Sequence, residues 1–209
     1  VKLWRLDVQT FLAPLIFGNT GNLGLPLALF AFGEVGLSYA VIVFAVMGIY
    51  SFTFGIWLVS GGGSPLKVIK EPLVGATLLG GLFMLQGWQT PLWMTNTLEL
   101  IGQMAIPLML ITLGVALARL TAENVIRGVL LSFVKVIICT TMAFSIGQFF
   151  ELAPIALAVL VLQVSTPVAV TSYLLAEKYG VEAGEVASLV VVSTLLSVVT
   201  ISITLAFLV

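Results

Sequence analysis

Two short stretches hold the residues best suited to binding. One is Asn19-Thr20-Gly21-Asn22-Leu23-Gly24-Leu25-Pro26 and the other is Gln163-Val164-Ser165-Thr166-Pro167. Each sets helix breakers and hydrogen-bonding side chains inside an apolar run, with a carboxamide four residues before a proline: Asn22 before Pro26 and Gln163 before Pro167. In hydrocarbon, backbone that leaves the helical ladder must find partners in protein or water, so such a break persists only where it is buried or lines a cavity. Proline suits the first turn of a helix, where its missing N–H is not needed. A half-helix starting at Pro26 or Pro167 would then turn free N–H groups and roughly half a positive charge toward the break, which favours anions. The candidate substrate-binding residues are therefore Asn19, Asn22, Gly24, Pro26, Gln163, Ser165, Thr166 and Pro167, with Gly21 and Lys135 in support. Gly and Pro are common in membrane helices, which accounts for one break alone. A symmetric pair of breaks favours a binding site.

The charged residues add little that could be chemistry. Lys135 lies eight residues beyond Arg127, about 12 Å along a helix, too deep for comfortable snorkelling. Two readings stand open for it: a brace on carbonyls freed at the breaks, or a contact to an anionic substrate. Glu99 reads as an interfacial residue before it reads as a proton carrier. The chain has no His, one Cys and one Asp, Asp7, so His-dependent catalysis, His- or Cys-held metals and intramembrane proteases are excluded within it. No Gly-Lys-Ser/Thr follows Gly61 to Gly63, so there is no P-loop. Met84, Met94, Met104, Met109 and Met142 share no ligand-like spacing, and Gly75, Gly80 and Gly81 read as close helix packing. No catalytic residue, metal site or cofactor is expected; coupling to a proton or sodium ion is left open.

Positioning the two breaks requires membrane helices. With 60% hydrophobic and 8% charged residues and a mean hydropathy of +1.23, the chain is an all-α, multispanning membrane protein. Its Lys and Arg are too scattered to bind nucleic acid. Apolar runs place spans at 8–32, 37–59, 73–88, 96–117, 125–150, 155–177 and 186–209. The polar stretch from Ser60 to Pro72 is the boundary between halves. This divides the chain into 1–60, a linker at 61–72, and 73–209. A broken span followed by an intact one occurs in each half, as in an internal repeat. A first half holding two spans against five in the second is then short by three, and a 5+5 inverted repeat completes to ten. Alternate threading puts Lys2, Arg5, Lys67, Lys70, Arg119, Arg127 and Lys178 on one side, which the positive-inside rule makes cytoplasmic. The broken spans then run in opposite directions, as inverted repeats demand. Trp4 and Trp57 fall at the inner boundary, Trp88 and Trp93 at the outer one, and the C-terminus lies outside.

Gly18 to Pro26 followed by Phe32-Gly33-Glu34-Val35-Gly36 resembles the crossover region of the auxin efflux carrier family, bacterial permeases related to the plant PIN carriers. Further matches are Ala105 to Leu117, Pro167 to Val170, Ala176 to Gly180 and Ser193 to Ser197. The resemblance implies an inverted-repeat transporter fold shared with bile-acid/sodium symporters, with two crossed broken helices, here with seven spans of an expected ten. It also implies a secondary carrier for small organic anions, carboxylates among them, working by alternating access in the cell membrane. The implied partners are the lipid bilayer and the anion, with a homodimer left open. The alternatives are an ion antiporter of the same fold and a receptor or structural protein that does not transport.

Overall fold

The computed structural model describes residues 6–61 and 72–208. Ten α-helices are laid down among these residues: α1 (Val8–Ile16), α2 (Leu25–Tyr50), α3 (Ile56–Val59), α4 (Pro72–Gln86), α5 (Leu92–Gln103), α6 (Ala105–Arg119), α7 (Val125–Phe149), α8 (Pro154–Ser165), α9 (Val170–Tyr179) and α10 (Ala183–Leu208). Two π-helical turns, Thr20–Gly24 and Ser51–Gly55, lead into α2 and α3. No strand forms among the described residues beyond one isolated bridge. The all-α expectation holds, and the reason is solvent: in lipid, a helix satisfies every backbone group within its own segment. Among the described residues, four helical stretches are long and apolar enough to cross a membrane: Thr20–Val59, Leu92–Arg119, Val125–Phe149 and Ala183–Leu208.

The first of these stretches has 40 residues. At ~1.5 Å per residue it would extend ~60 Å, about twice the hydrocarbon thickness. Gly33 resolves this with φ 63° and ψ −158° in the middle of α2, a region open essentially to glycine alone. The two arms of α2 fold against each other: Leu25 and Ala28 share a core cluster with Ala40, and the Phe44 ring packs over Gly21. Gly33 thus separates the apolar runs expected at 8–32 and 37–59.

The core lies where α7, α8 and α10 pack together and α2 joins α8. Leu25, Ala28, Val159, Leu162 and Ile201 form one cluster, and Phe11, Leu131, Val168, Val186, Leu189 and Val190 form another. Leu6, Leu117, Leu120, Val181 and Ala183 all pack on the second cluster, so the start of α1, the end of α6 and the start of α10 share one end of the molecule. The same end carries the Arg127–Glu185 ion pair at 2.8 Å. Ser188 Oγ there accepts from the N–H groups of Glu123 at 2.7 Å and Asn124 at 3.1 Å. Helices α4 and α5 and the turn between them present apolar side chains outward, Leu85, Trp88 and Trp93 among them. Gly75, Gly80 and Gly81 have nothing within 4 Å of where a Cβ would stand, so the close packing expected of them is not made by the described chain. Lys2, Trp4, Arg5, Lys67, Lys70 and most of the linker lie outside the described residues.

Candidate functional site: the helix crossover

Helix α1 ends at Ile16 and α8 ends at Ser165. Pro167 explains the second stop, because it pushes the residue before it out of the helical region, and Thr166 is extended at φ −57°, ψ 149°. The side chains of the last turn fold back onto its free carbonyls: Ser165 Oγ donates to the Leu162 carbonyl at 2.8 Å, and Thr166 Oγ1 to that of Gln163 at 2.6 Å. The two extended stretches, 17–19 and 166–169, then cross and pair as an antiparallel bridge between Gly18 and Val168. Asn19 N–H donates to the Pro167 carbonyl at 2.7 Å, and Ala169 N–H to that of Phe17 at 3.4 Å. Gly18 permits the approach, since a Cβ there would stand 2.5 Å from Thr166 Oγ1. Two further groups complete the hydrogen bonding of this buried backbone. Ser193 Oγ accepts from Val168 N–H at 3.0 Å, and Lys135 Nζ donates to the Thr166 carbonyl at 2.6 Å.

On one side of the crossing, two helices begin. The first begins as the π turn Thr20–Gly24, in which Gly24 N–H reaches the Asn19 carbonyl at 3.0 Å. The second is α9, starting at Val170. The first N–H groups of a helix have no acceptor within it. Thr20, Gly21 and Asn22 from one start, and Val170 and Thr171 from the other, line a single cavity. Its walls are completed from the second arm of α2 and the following π turn, by Phe44, Met47 and Ser51 among others. The cavity has a volume of about 100 Å³, several times the ~10–15 Å³ that one water needs. Two positive helix ends and no fixed charge therefore face one small cavity, an arrangement suited to an anion.

The residues singled out from the sequence separate into two groups here. Asn19 and Asn22 line the cavity with Gly21. Asn19 is 5% exposed and its Nδ2 has no protein partner. Gln163, Ser165, Thr166 and Pro167 are buried and do not line it, nor do Gly24 and Pro26. Gln163 packs against Gly24, where a Cβ would overlap Oε1 of the carboxamide, and neither Oε1 nor Nε2 finds a protein partner. The expected equivalence of Asn22…Pro26 with Gln163…Pro167 therefore differs from the geometry. Asn22 follows its break and Gln163 precedes its own, while Pro167 lies in an extended segment and Pro26 follows a full π turn. A π turn still presents free N–H groups, so the half-helix starts near Asn19 without needing a proline at its head. Lys135 does not line the cavity, and its bond to the Thr166 carbonyl is a contact of the kind the bracing reading describes. Glu99 is exposed on α5. Thr171, Ser51 and Ser193 were not singled out one by one from the sequence. Thr171 was readable as the fourth residue after Pro167, where a new helix would present its first N–H groups.

A family model described as "Membrane transport protein" matches residues 56–205. An uncharacterized transporter of Methanothermobacter thermautotrophicus is 30% identical over 205 residues, covering 95% of this chain and 66% of the relative. One from Methanocaldococcus jannaschii is 25% identical over 201 residues, covering 90% and 64%. A protein of Rhizobium meliloti named as a candidate malonate transporter is 26% identical over 205 residues, covering 89% and 62%. The chain thus spans slightly less than two thirds of the length of each of these relatives. No solved structure matches.

Proposed function

Because this chain belongs to the membrane transport protein family, we propose that it works as a secondary carrier for small organic anions, with the anion held in the cavity between the two helix starts. The family and the relatives are transporters, not enzymes. The observation that carries the reading is that the first residues of two helix starts, 20–22 and 170–171, line one cavity, where a helix start has N–H groups without acceptors in the helix. Asn19 and Asn22 hydrogen-bond the anion directly. Gly21 lets it approach the backbone, and Gly24, Pro26, Gln163, Ser165, Thr166 and Pro167 form the buried frame that fixes the crossing. The relative named for malonate supports a carboxylate as the class.

In this reading the chain crosses the membrane seven times. The two broken spans run in opposite directions as halves of an inverted repeat, 1–60 and 73–209. Alternating access moves the crossover relative to its surrounding helices. The linker at 61–72 is cytoplasmic and the C-terminus outside. An ion antiporter fits less well, because it needs buried acids at the crossover and no carboxylate lines this cavity. The test is uptake of labelled malonate, with mono- and dicarboxylates as competitors, by full-length protein in proteoliposomes. Asn22→Ala removes one hydrogen bond to a charged ligand and is expected to weaken binding about ten- to a hundredfold. Flux that ignores every carboxylate, or unchanged affinity in a folded Asn22→Ala protein, would sink the reading.

A further inference from the structure

The back of the crossing carries a second feature that anion transport does not use. Here α8 ends, so its last carbonyls and the negative end of its dipole face inward, just as positive helix ends face the front cavity. Lys135 of α7 meets them. It is 4% exposed and donates to the Thr166 carbonyl at 2.6 Å. Among the described residues it makes no ion pair. Beside it is a small space of about 10 Å³, about enough for one water.

The oxygen-bearing side chains facing that space are Ser132 from α7, Ser165 at the end of α8, and Ser193 and Thr200 from α10; the rest of its wall, the lysine aside, is apolar. Apart from the lysine, the one titratable side chain nearby is Cys139, a turn further along α7. Ser132 and Ser165 already donate their hydroxyl protons to the carbonyls of Gly128 and Leu162. What they offer the space is lone pairs. Thr200 Oγ1 is buried with no partner. The ammonium has three N–H donors and spends one on Thr166. Carbonyl and hydroxyl oxygens around a positive charge, with no carboxylate, are also the donors that take a bare monovalent cation in place of its hydration shell.

We propose that the Lys135 ammonium is a tethered cation occupying an oxygen-lined site behind the crossover, and that the site takes a free monovalent cation when the lysine is cut back. The fixed charge holds the Thr166 carbonyl and offsets the negative end of α8, so the crossing needs no mobile ion to stay formed. This inference is independent of what the front cavity binds.

Thermal unfolding of purified full-length protein tests it, in NaCl, KCl or methylammonium chloride against choline chloride at equal ionic strength. Wild type should unfold at one temperature in all four. Lys135→Ala should be destabilised in choline and should recover about 2–4 °C in saturating Na⁺, K⁺ or methylammonium, as binding to the folded state alone implies. Lys135→Met fills the space without charge, so it should be destabilised and indifferent to the cation. Adding Thr200→Val to Lys135→Ala should abolish the recovery. Wild-type stability of Lys135→Met would overturn the proposal, as would an equal response of Lys135→Ala to choline and the small cations. Failure of Lys135→Ala to fold in any of the small cations would overturn it too, since a free cation would then not replace the ammonium.

Discussion

At the scale of single residues, two contacts carry energies large enough to measure. Asp7 caps α1: its Oδ2 accepts from Thr10 Oγ1 at 2.7 Å and from Thr10 N–H at 2.8 Å. The Thr10 hydroxyl, followed by its N–H, holds the Asp7 carboxyl below its ordinary value of 3.8. A depressed folded-state value means the cap stabilises fully above pH 3.8 and loses that contribution as pH falls below it through the folded value. Asp7→Ala should therefore cost about 1 kcal/mol at pH 7, and its unfolding temperature should approach that of wild type in acid. A gap that does not shrink as pH falls below 3.8 would assign the cost to something other than the carboxylate. Gln163 and Gly24 are a second pair, because a Cβ at position 24 would push into the Gln163 carboxamide. Gly24→Ala should cost about 1–3 kcal/mol from overpacking. Gln163→Ala in the same chain should recover part of that loss, since the two changes share one space. Strict additivity in the double-mutant cycle would show that the contact is not what makes Gly24 necessary.

At the scale of elements, the sequence made the helices plain and the breaks only roughly so. The apolar runs were visible because a bilayer demands long helices of one composition, and the helices over 72–86, 125–149 and 183–208 follow them closely. The break near Pro26 was readable as a break, but its position was not. Proline marks where a helix can start, whereas here Asn19 and Gly24 allow a π turn to start it six residues earlier. Matching proline to proline then paired Asn22 with Gln163, which lie on opposite sides of their breaks. The bridge between Gly18 and Val168 pairs segments about 150 residues apart, a long-range contact that no local pattern encodes. Gly33 is the converse, a conformation legible from the run Gly33-Glu34-Val35-Gly36 between two apolar stretches. Its φ of 63° and ψ of −158° lie outside the left-handed helical region that Asn tolerates, while a Cβ would meet no neighbour. Gly33→Ala and Gly33→Asn should thus cost the same, about 1–3 kcal/mol of backbone strain. A clearly milder Asn variant in thermal unfolding would mean that the bend has relaxed into a left-handed turn.

At the scale of the whole molecule, the described Lys and Arg side chains other than Lys135 gather at one end. Arg119 shares a surface cleft with Glu177, Arg127 pairs with Glu185, and the start of α1 packs beside the end of α6. The loops around positions 120–124 and 180–182 therefore sit at one end, the end that the proposed topology makes cytoplasmic from its Lys and Arg. The turn between α4 and α5, with Trp88 and Gln89, carries no Lys or Arg. If the positive end is cytoplasmic, cysteines introduced at Glu182 and Gln89 should differ in their reach to an impermeant thiol reagent. The background needs Cys139→Ser, since that side chain is the chain's own thiol. Both positions are exposed, so burial cannot shield either one and only the membrane can separate them. In intact cells Gln89→Cys should label and Glu182→Cys should stay blocked until the membrane is permeabilised. The reverse pattern would invert the topology. Equal labelling of both in intact cells would place the two turns on the same face, which an odd number of crossings between them cannot produce.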